Sequence, residues 1–425
     1  MIRAALLLLF IILIIDLYGY YGLKKLFSVT GKTRTRRLAF TIFWVVDLLF
    51  AVLSILWILT IRSSDWPDYV QYRSYYYISG AFVLIYMPKL TFLVFVLVDD
   101  LRKFAWWIGR QFTSAKRKRH RRIKNKPASR ALPVIGGVLS VVMFLWIVYG
   151  ITVTRFNYQV EEREIYFQDL PQSFDGFRLI YIADTHLGSF ARPEPVVRGL
   201  QMVGDLEGDL VLFAGDMINN EAVEAEIYVP SFEQIIANAG KFSILGNHDM
   251  GDYRRWYTIE EKDANLEALE QFQEDMGFEL LRNEHAFISN GTDSIMIVGI
   301  DNWGMPPFAQ YGDLQQALGE HADFPFKILL SHDPSHWRAQ VLPQTDIQLM
   351  MAGHTHGAQA GILTPWFQWS PSVYIYPEWY GEYREGEQVL YVNRGFGFLG
   401  FPGRLGMPPE ITAITLRRTP DQELD

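Results

Sequence analysis

Hydrophobic and polar positions along the 425-residue chain follow two regimes. Up to residue 152, apolar residues run on with little interruption over 4–21, 39–61, 78–98 and 131–152. Each run has about the ~20 residues that a helix needs to cross the hydrocarbon of a bilayer. Beyond residue 164 the runs shorten to between four and seven residues, at 178–183, 210–214, 242–245, 294–298, 326–330 and 347–352. Short continuous apolar runs flanked by glycine and polar loops are the form of strands buried on both faces. Helix-forming composition lies between some of them, at 195–203 and 265–276. The pattern therefore predicts a four-helix transmembrane domain over 1–152, a polar linker over 153–164, and an α/β domain over 165–425.

Charge sharpens this division. Residues 1–152 carry 22 Lys and Arg against 6 Asp and Glu, and the remainder 17 against 41. The first apolar run is too long for a signal peptide, lacks a small-residue exit, and is followed by Lys24 and Lys25, so it reads as an anchor. The loop between the first two runs carries Lys24, Lys25, Lys32, Arg34, Arg36 and Arg37 with no acid, and the loop before the fourth carries twelve basic residues. The loop between the second and third balances Arg62 and Arg73 against Asp65 and Asp68. The positive-inside rule puts both basic loops in the cytoplasm and everything after the fourth span outside, on a multi-pass protein of the cytoplasmic membrane. The basic stretch 116–130 is what topology and anionic membrane lipids demand, and no nucleic-acid partner is expected. Asp47 and Lys89 lie at similar depth in their spans, which predicts a buried pair. The chain has no cysteine, which excludes disulfides and thiolate metal sites.

Five of the short apolar runs stop at metal-ligand residue types. They lead to Asp184-Thr185-His186, Gly215-Asp216, Gly246-Asn247-His248-Asp249, Ser331-His332-Asp333 and Gly353-His354-Thr355-His356. A single Gly-Asp after a strand is ordinarily a turn. Recurrence at five strand ends points instead to one site at the rim of a sheet. Carboxylate, imidazole and amide ligands suit Mn, Fe or Zn. Seven such ligands exceed one tetrahedral ion but fit two ions sharing a carboxylate, an arrangement suited to displacement at phosphorus.

The five blocks, in this order, resemble the calcineurin-like metallophosphoesterase superfamily. The segments 170–171, 187–188, 393–395 and 408–410 resemble its membrane-attached bacterial branch. The resemblance implies two mixed β-sheets sandwiched between helices, and two divalent metal ions. Asp184, His186 and His356 would hold one ion, Asn247, His332 and His354 the other, and Asp216 would bridge them. His248 would be the catalytic acid or transition-state donor and Asp249 would orient its imidazole. Many relatives carry a further acid after Gly215-Asp216, where this chain has Met217, Ile218, Asn219 and Asn220. His336 and Arg404 are additional candidates for binding substrate.

The expected activity is that of a dinuclear-metal-dependent phosphoric ester hydrolase, phosphatase or phosphodiesterase, at the outer face of the cytoplasmic membrane. Aromatics crowd 366–383 and 396–401, as a lipid-entry groove or as core beside the site. This favours a lipid-linked or cell-envelope phosphate ester. The alternatives are a nucleotide-sugar or lipid pyrophosphatase acting on UDP-diacylglucosamine-like substrates, and a membrane sensor or transporter with a non-catalytic esterase domain.

Overall fold

A computed structural model describes residues 2–27, 33–63, 69–113 and 131–420 of the chain. The basic stretch 116–122, Arg130, Lys32, Asp65 and Asp68 lie outside the described residues. Two compact units emerge: residues 1–65 with 78–149, and residues 66–77 with 150–425.

The first unit is helical. Its elements are α1 (Ile2–Phe27), α2 (Thr33–Ser63), α3 (Tyr69–Thr113), whose opening turns up to Tyr77 belong to the second unit, and α4 (Ala131–Thr152), which leaves the first unit after Tyr149. Three of them are long and apolar enough to cross a membrane, over Thr33–Thr60, Tyr69–Gly109 and, continuing past α4, Ala131–Phe156. Large side chains such as Leu48, Val94 and Leu145 face outward, as lipid-facing helices require. At 45 residues, α3 is about 67 Å long, roughly twice the hydrocarbon thickness, so its ends extend beyond the span. Small residues let the helices approach: a Cβ on Gly22 would lie 2.7 Å from the Phe92 ring. The expected Asp47–Lys89 pair is present, and Asp16 joins it with Oδ1 2.8 Å from Lys89 Nζ. Lys89 thus serves carboxylates from α1 and α2 together.

The second unit holds the strands, in chain order β1 (Gln159–Phe167), β2 (Arg178–Ile182), β3 (Leu210–Ala214), β4 (Lys241–Ile244), β5 (Glu279–Leu280), β6 (Glu284–Asn290), β7 (Asp293–Gly299), β8 (Lys327–Leu330), β9 (Leu349–Ala352), the short pair β10 (Ile362–Leu363) and β11 (Gln368–Trp369), β12 (Gly381–Glu385), β13 (Gln388–Val392) and β14 (Glu410–Arg418). They form one six-stranded sheet in the order β1-β14-β2-β3-β4-β5 and a second in the order β12-β13-β9-β8-β7-β6. Both are mixed: the first is parallel except where β14 meets β2, and the second is parallel over β13-β9-β8-β7 with antiparallel β12 and β6 at its edges.

Alternation along each strand explains why the apolar runs are continuous. Leu179 and Tyr181 of β2 enter the core between the sheets with Ile328, Leu330, Leu349 and Met351. Ile180 and Ile182 point the other way, under Val196, Leu200 and Val203 of the helix Glu194–Asp205. On the far side Leu329 and Met350 pack under Leu314, Trp337 and Val341. Both faces of both sheets are covered, giving helix–sheet–sheet–helix layers. The helix expected over 265–276 begins earlier, at Ile259, because the Thr258 side chain caps the Glu261 amide.

One boundary differs from the sequence reading. Residues 159–164, expected as linker, belong to β1, which pairs in parallel with β14 from Gln159↔Glu410 to Phe167↔Arg418. The run Gln159-Val-Glu-Glu-Arg-Glu looks polar because most of its side chains are exposed or half-buried, whereas Ile165 and Phe167 enter the core.

Candidate metal centre

The parallel strands of each sheet centre share a direction, so their carboxyl ends lie along one rim. Asp184 follows β2 by two residues, Asp216 follows β3, Asn247 follows β4, His332 follows β8 and His354 follows β9. The backbone turns sharply there: φ is 56° at Asp184, 43° at His186, 58° at Asp216, 69° at His354 and 49° at His356. Non-glycine residues in this left-handed region cost on the order of 1–3 kcal/mol each, strain of the kind concentrated at functional sites. The turns bring side chains from separate strands onto common points. Gly353 makes room for this, because a Cβ there would lie 2.2 Å from Asp184 Oδ2.

Two clusters result, Asp184 with His186 and His356, and Asp216 with His332 and His354. His186 Nε2 lies 3.0 Å from His356 Nε2, and His356 Nε2 lies 3.3 Å from Asp184 Oδ1. His354 Nδ1 lies 3.3 Å from His332 Nε2. Asp216 Oδ2 joins the clusters, 3.5 Å from His186 Nε2 and 3.2 Å from His332 Nε2. Asn247 turns its Nδ2 to the Tyr253 hydroxyl at 2.9 Å, and its buried Oδ1 has no hydrogen-bond partner.

The outward nitrogens of these rings fix their tautomers. His332 Nδ1–H donates to the Ala214 carbonyl at 2.7 Å, and His186 Nδ1–H to Asn219 Oδ1 at 3.0 Å. Each turns its Nε2 toward the clusters, the nitrogen that metal-binding histidines present to an ion. On the far side of its ring, His354 Nε2 meets the Tyr376 hydroxyl at 2.8 Å.

The electrostatics agree. Burial works to raise the Asp216 carboxyl, but the charge on His332 and then His248 hold it well below its usual value. Burial likewise works to lower His332, yet Asp216 and Asp184 lift it to about 10. The carboxylates so favour positive charge that they hold a proton on a buried imidazole. His186, pushed well below its usual value by burial, stays a neutral donor. Converging lone pairs, buried carboxylates and an orphaned amide oxygen fit divalent cations.

Six of the seven residues expected as ligands meet in these two clusters, and Asn247 follows β4 on the same rim. His248 is beside them, its ring centroid 5.0 Å from that of His186. Three other expectations change. Asp249 does not orient His248: it accepts the backbone amides of Asp216 at 2.7 Å, Gly246 at 2.9 Å and Ile218 at 3.1 Å. Burial and then the Asp216 charge push its carboxyl up to about 7. His248 Nδ1–H donates instead to the Asn219 carbonyl at 2.8 Å. His336 is fully buried, with Ser331 Oγ at 3.0 Å and Gln340 Oε1 at 2.9 Å on its two nitrogens, and so does not face a substrate. Arg404 is also fully buried, donating to the carbonyls of Arg394 at 2.9 Å and Gly395 at 2.9 Å, with Nη2 3.3 Å from His356 Nδ1. It braces the loop behind His356.

Sequence reasoning undervalued Asn219 and Tyr376. Asn219 meets His186 through its side chain and His248 through its carbonyl. Its amide is held at 2.6 Å by buried Glu224, which also takes the Asn220 and Glu221 amides. The signal was the amide pair Asn219-Asn220 close after Gly215-Asp216, where the resemblance implied an acid.

The chain belongs to the calcineurin-like phosphoesterases. The family model of that description matches residues 177–358, and one described as a probable calcineurin-like phosphoesterase transmembrane domain matches residues 2–155. An uncharacterized metallophosphoesterase of Bacillus subtilis, YkuE, is 31% identical over 263 residues, covering 59% of this chain and 82% of the relative. A transmembrane protein with metallophosphoesterase domain from Danio rerio is 30% identical over 279 residues, covering 64% of this chain and 60% of the relative. Its counterpart in Bos taurus is 28% identical over 330 residues, 74% of this chain and 67% of the relative. The protein is a membrane-associated metallophosphoesterase whose helical region is of the transmembrane type.

Proposed function

We propose that the protein is a dinuclear-metal-dependent phosphoesterase acting on a lipid-linked or cell-envelope phosphate ester at the outer face of the cytoplasmic membrane. The observation that carries the dinuclear reading is Asp216 Oδ2, set between the Nε2 atoms of His186 and His332 at 3.5 and 3.2 Å. Asp184, His186 and His356 would hold one ion and Asn247, His332 and His354 the other, with Asp216 available to both. Bound there, Mn, Fe or Zn supplies Lewis acidity and charge neutralisation at a phosphoryl group.

The chain supplies the rest. His248, with Nδ1–H held by the Asn219 carbonyl, keeps Nε2 for proton exchange with the ester oxygen. Asp249 supports the site by tying the loop after β3 to the loop after β4 through three amides.

A lipid-linked ester is supported by the aromatic segment beside the centre. Phe396 and Phe398 are core, but Trp366 is 91% and Tyr374 79% exposed, and Phe367 and Ile375 are exposed with them. Tyr376, next to Ile375, contacts His354. An exposed apolar patch adjoining a catalytic centre suits an acyl or prenyl chain.

Purified protein with Mn²⁺ should hydrolyse an aryl phosphate or bis-aryl phosphate and lose turnover with a chelator; no activity with any divalent ion would sink the catalytic reading. Trp366→Ala/Tyr374→Ala should slow a long-chain phosphoester while sparing the aryl ester. Equal effects on both would remove the lipid reading. Carboxy-terminal alkaline-phosphatase and fluorescent-protein fusions test the topology, since a cytoplasmic carboxy terminus would exclude the outer face.

A further inference from the structure

A second polar cavity lies in the catalytic unit, lined by Arg73, Arg155 and Arg192 together with Tyr76, Phe190 and Phe398. Its volume is about 80 Å³, several times the ~10–15 Å³ that one water occupies. No carboxylate lines it, and among the described residues none of the three arginines has an ion-pair partner. Arg73 Nη1 donates to the Phe190 carbonyl at 2.8 Å and Arg155 Nη1 to the Pro402 carbonyl at 2.9 Å. The Arg155 guanidinium stacks 4.4 Å from the Phe156 ring centroid and 5.0 Å from that of Phe398, which fixes its plane. Its buried Nε has no hydrogen-bond partner.

Chain connectivity locates the cavity. Arg73 and Tyr76 occupy the opening turns of α3, and Arg155 and Phe156 follow the end of α4. A span entered at the start of α3 and left at the end of α4 returns the chain to the same membrane face, whichever face that is. These residues therefore sit at headgroup level. Among the described residues Arg73 and Arg155 are half-buried at the cavity without a carboxylate, and Arg155 carries a buried unmet donor, an arrangement that is costly unless an anion completes it; exposed Arg192 adds a third positive charge at the same place. Planar forks of this kind match the oxygens of a phosphoryl group.

We propose that this cavity binds a phosphoryl anion, the headgroup phosphate of an anionic membrane lipid, at a site separate from the metal centre. Ser189 lines the cavity and bonds Asn219 at 3.2 Å, so the bound anion stands close to the residue that holds His186 without touching a metal ligand itself. Tyr76, Phe190 and Phe398 provide the apolar side against which the lipid's glycerol and first methylenes rest.

The test uses the full chain in detergent micelles. Native mass spectrometry reads the retention of dioleoyl phosphatidylglycerol against dioleoyl phosphatidylcholine, and thermal unfolding reads the response to inorganic phosphate. The parent should retain the anionic lipid preferentially. Arg192→Gln and Arg155→Gln should each weaken that retention about tenfold, the worth of one charge-assisted contact. Arg192 is exposed, so its variant reports even where Arg155→Gln folds poorly. A phosphate response that Arg192→Gln abolishes, without lipid preference, would assign the site to a free oxyanion. A phosphate response that Arg192→Gln leaves unchanged belongs to the metal centre and counts against the cavity. Equal retention of the two lipids without any phosphate response, or parent-level retention in both variants, overturns the proposal.

Discussion

The protein buries two clusters of ionisable groups and treats them in opposite ways. In the helical unit, Lys89 bonds Asp16 and Asp47, so opposite charges close on one another. In the catalytic unit like meets like: imidazole nitrogens stand 3.0 and 3.3 Å apart, and one carboxylate oxygen is shared between two rings. The first cluster holds its helices together from within. The second leaves ring nitrogens and carboxylate oxygens facing one another, the arrangement that a bound cation would satisfy. Burial alone does not mark a functional charge. What distinguishes the two is whether the cluster satisfies itself.

Substitutions can break this contrast. The largest effect is expected from Asp216→Asn, which weakens both ion positions together and should lower turnover at least about 10³-fold; metal content by elemental analysis should fall in parallel. Gly353→Ala should cost on the order of 10²-fold, since the new Cβ would fall 2.2 Å from Asp184 Oδ2 and displace it. Assays across Mn²⁺ concentrations should show the loss as weaker metal dependence rather than unfolding. Lys89→Met should cost about 3–5 kcal/mol by stranding two carboxylates, read as a lowered unfolding temperature in detergent. The triple change Asp16→Asn/Asp47→Asn/Lys89→Met should recover most of it, and no recovery would show that the cluster is not self-contained. The smallest effect is expected for His336→Gln, whose turnover should stay within about twofold of the parent. A large fall in kcat at unchanged stability would return His336 to the substrate.

The sequence made the site's membership legible because each ligand is pinned to a strand end, and strand ends are marked by where an apolar run stops. Asp184, Asp216, Asn247, His332 and His354 needed no tertiary information to be grouped. Their supports did need it. Asp249 follows His248 in the chain, which suggests a pair, yet the turn directs its carboxylate back to the amides of Asp216, Gly246 and Ile218. Arg404 looked like a phosphate ligand because its burial under Arg394 and Gly395 carbonyls depends on a loop that folds back over ten residues. In the fold, short continuous apolar runs predicted strands buried on both faces. They could not reveal that a charged, half-exposed stretch such as β1 pairs with a strand some 250 residues away, from Gln159↔Glu410 onward.

That pairing has a bearing on biosynthesis. In the first sheet β14 lies between β1 and β2, hydrogen-bonded to both. The first strand to leave the ribosome after the last membrane helix therefore has no neighbour until residues 410–418 arrive. The sheet cannot close progressively as the chain emerges. It stays split, with an open slot at its second position, until residues 410–418 are made. A ribosome stalled or a chain cut before Glu410 would leave β1 without a partner and β2 with one open edge, an invitation to quality-control proteases.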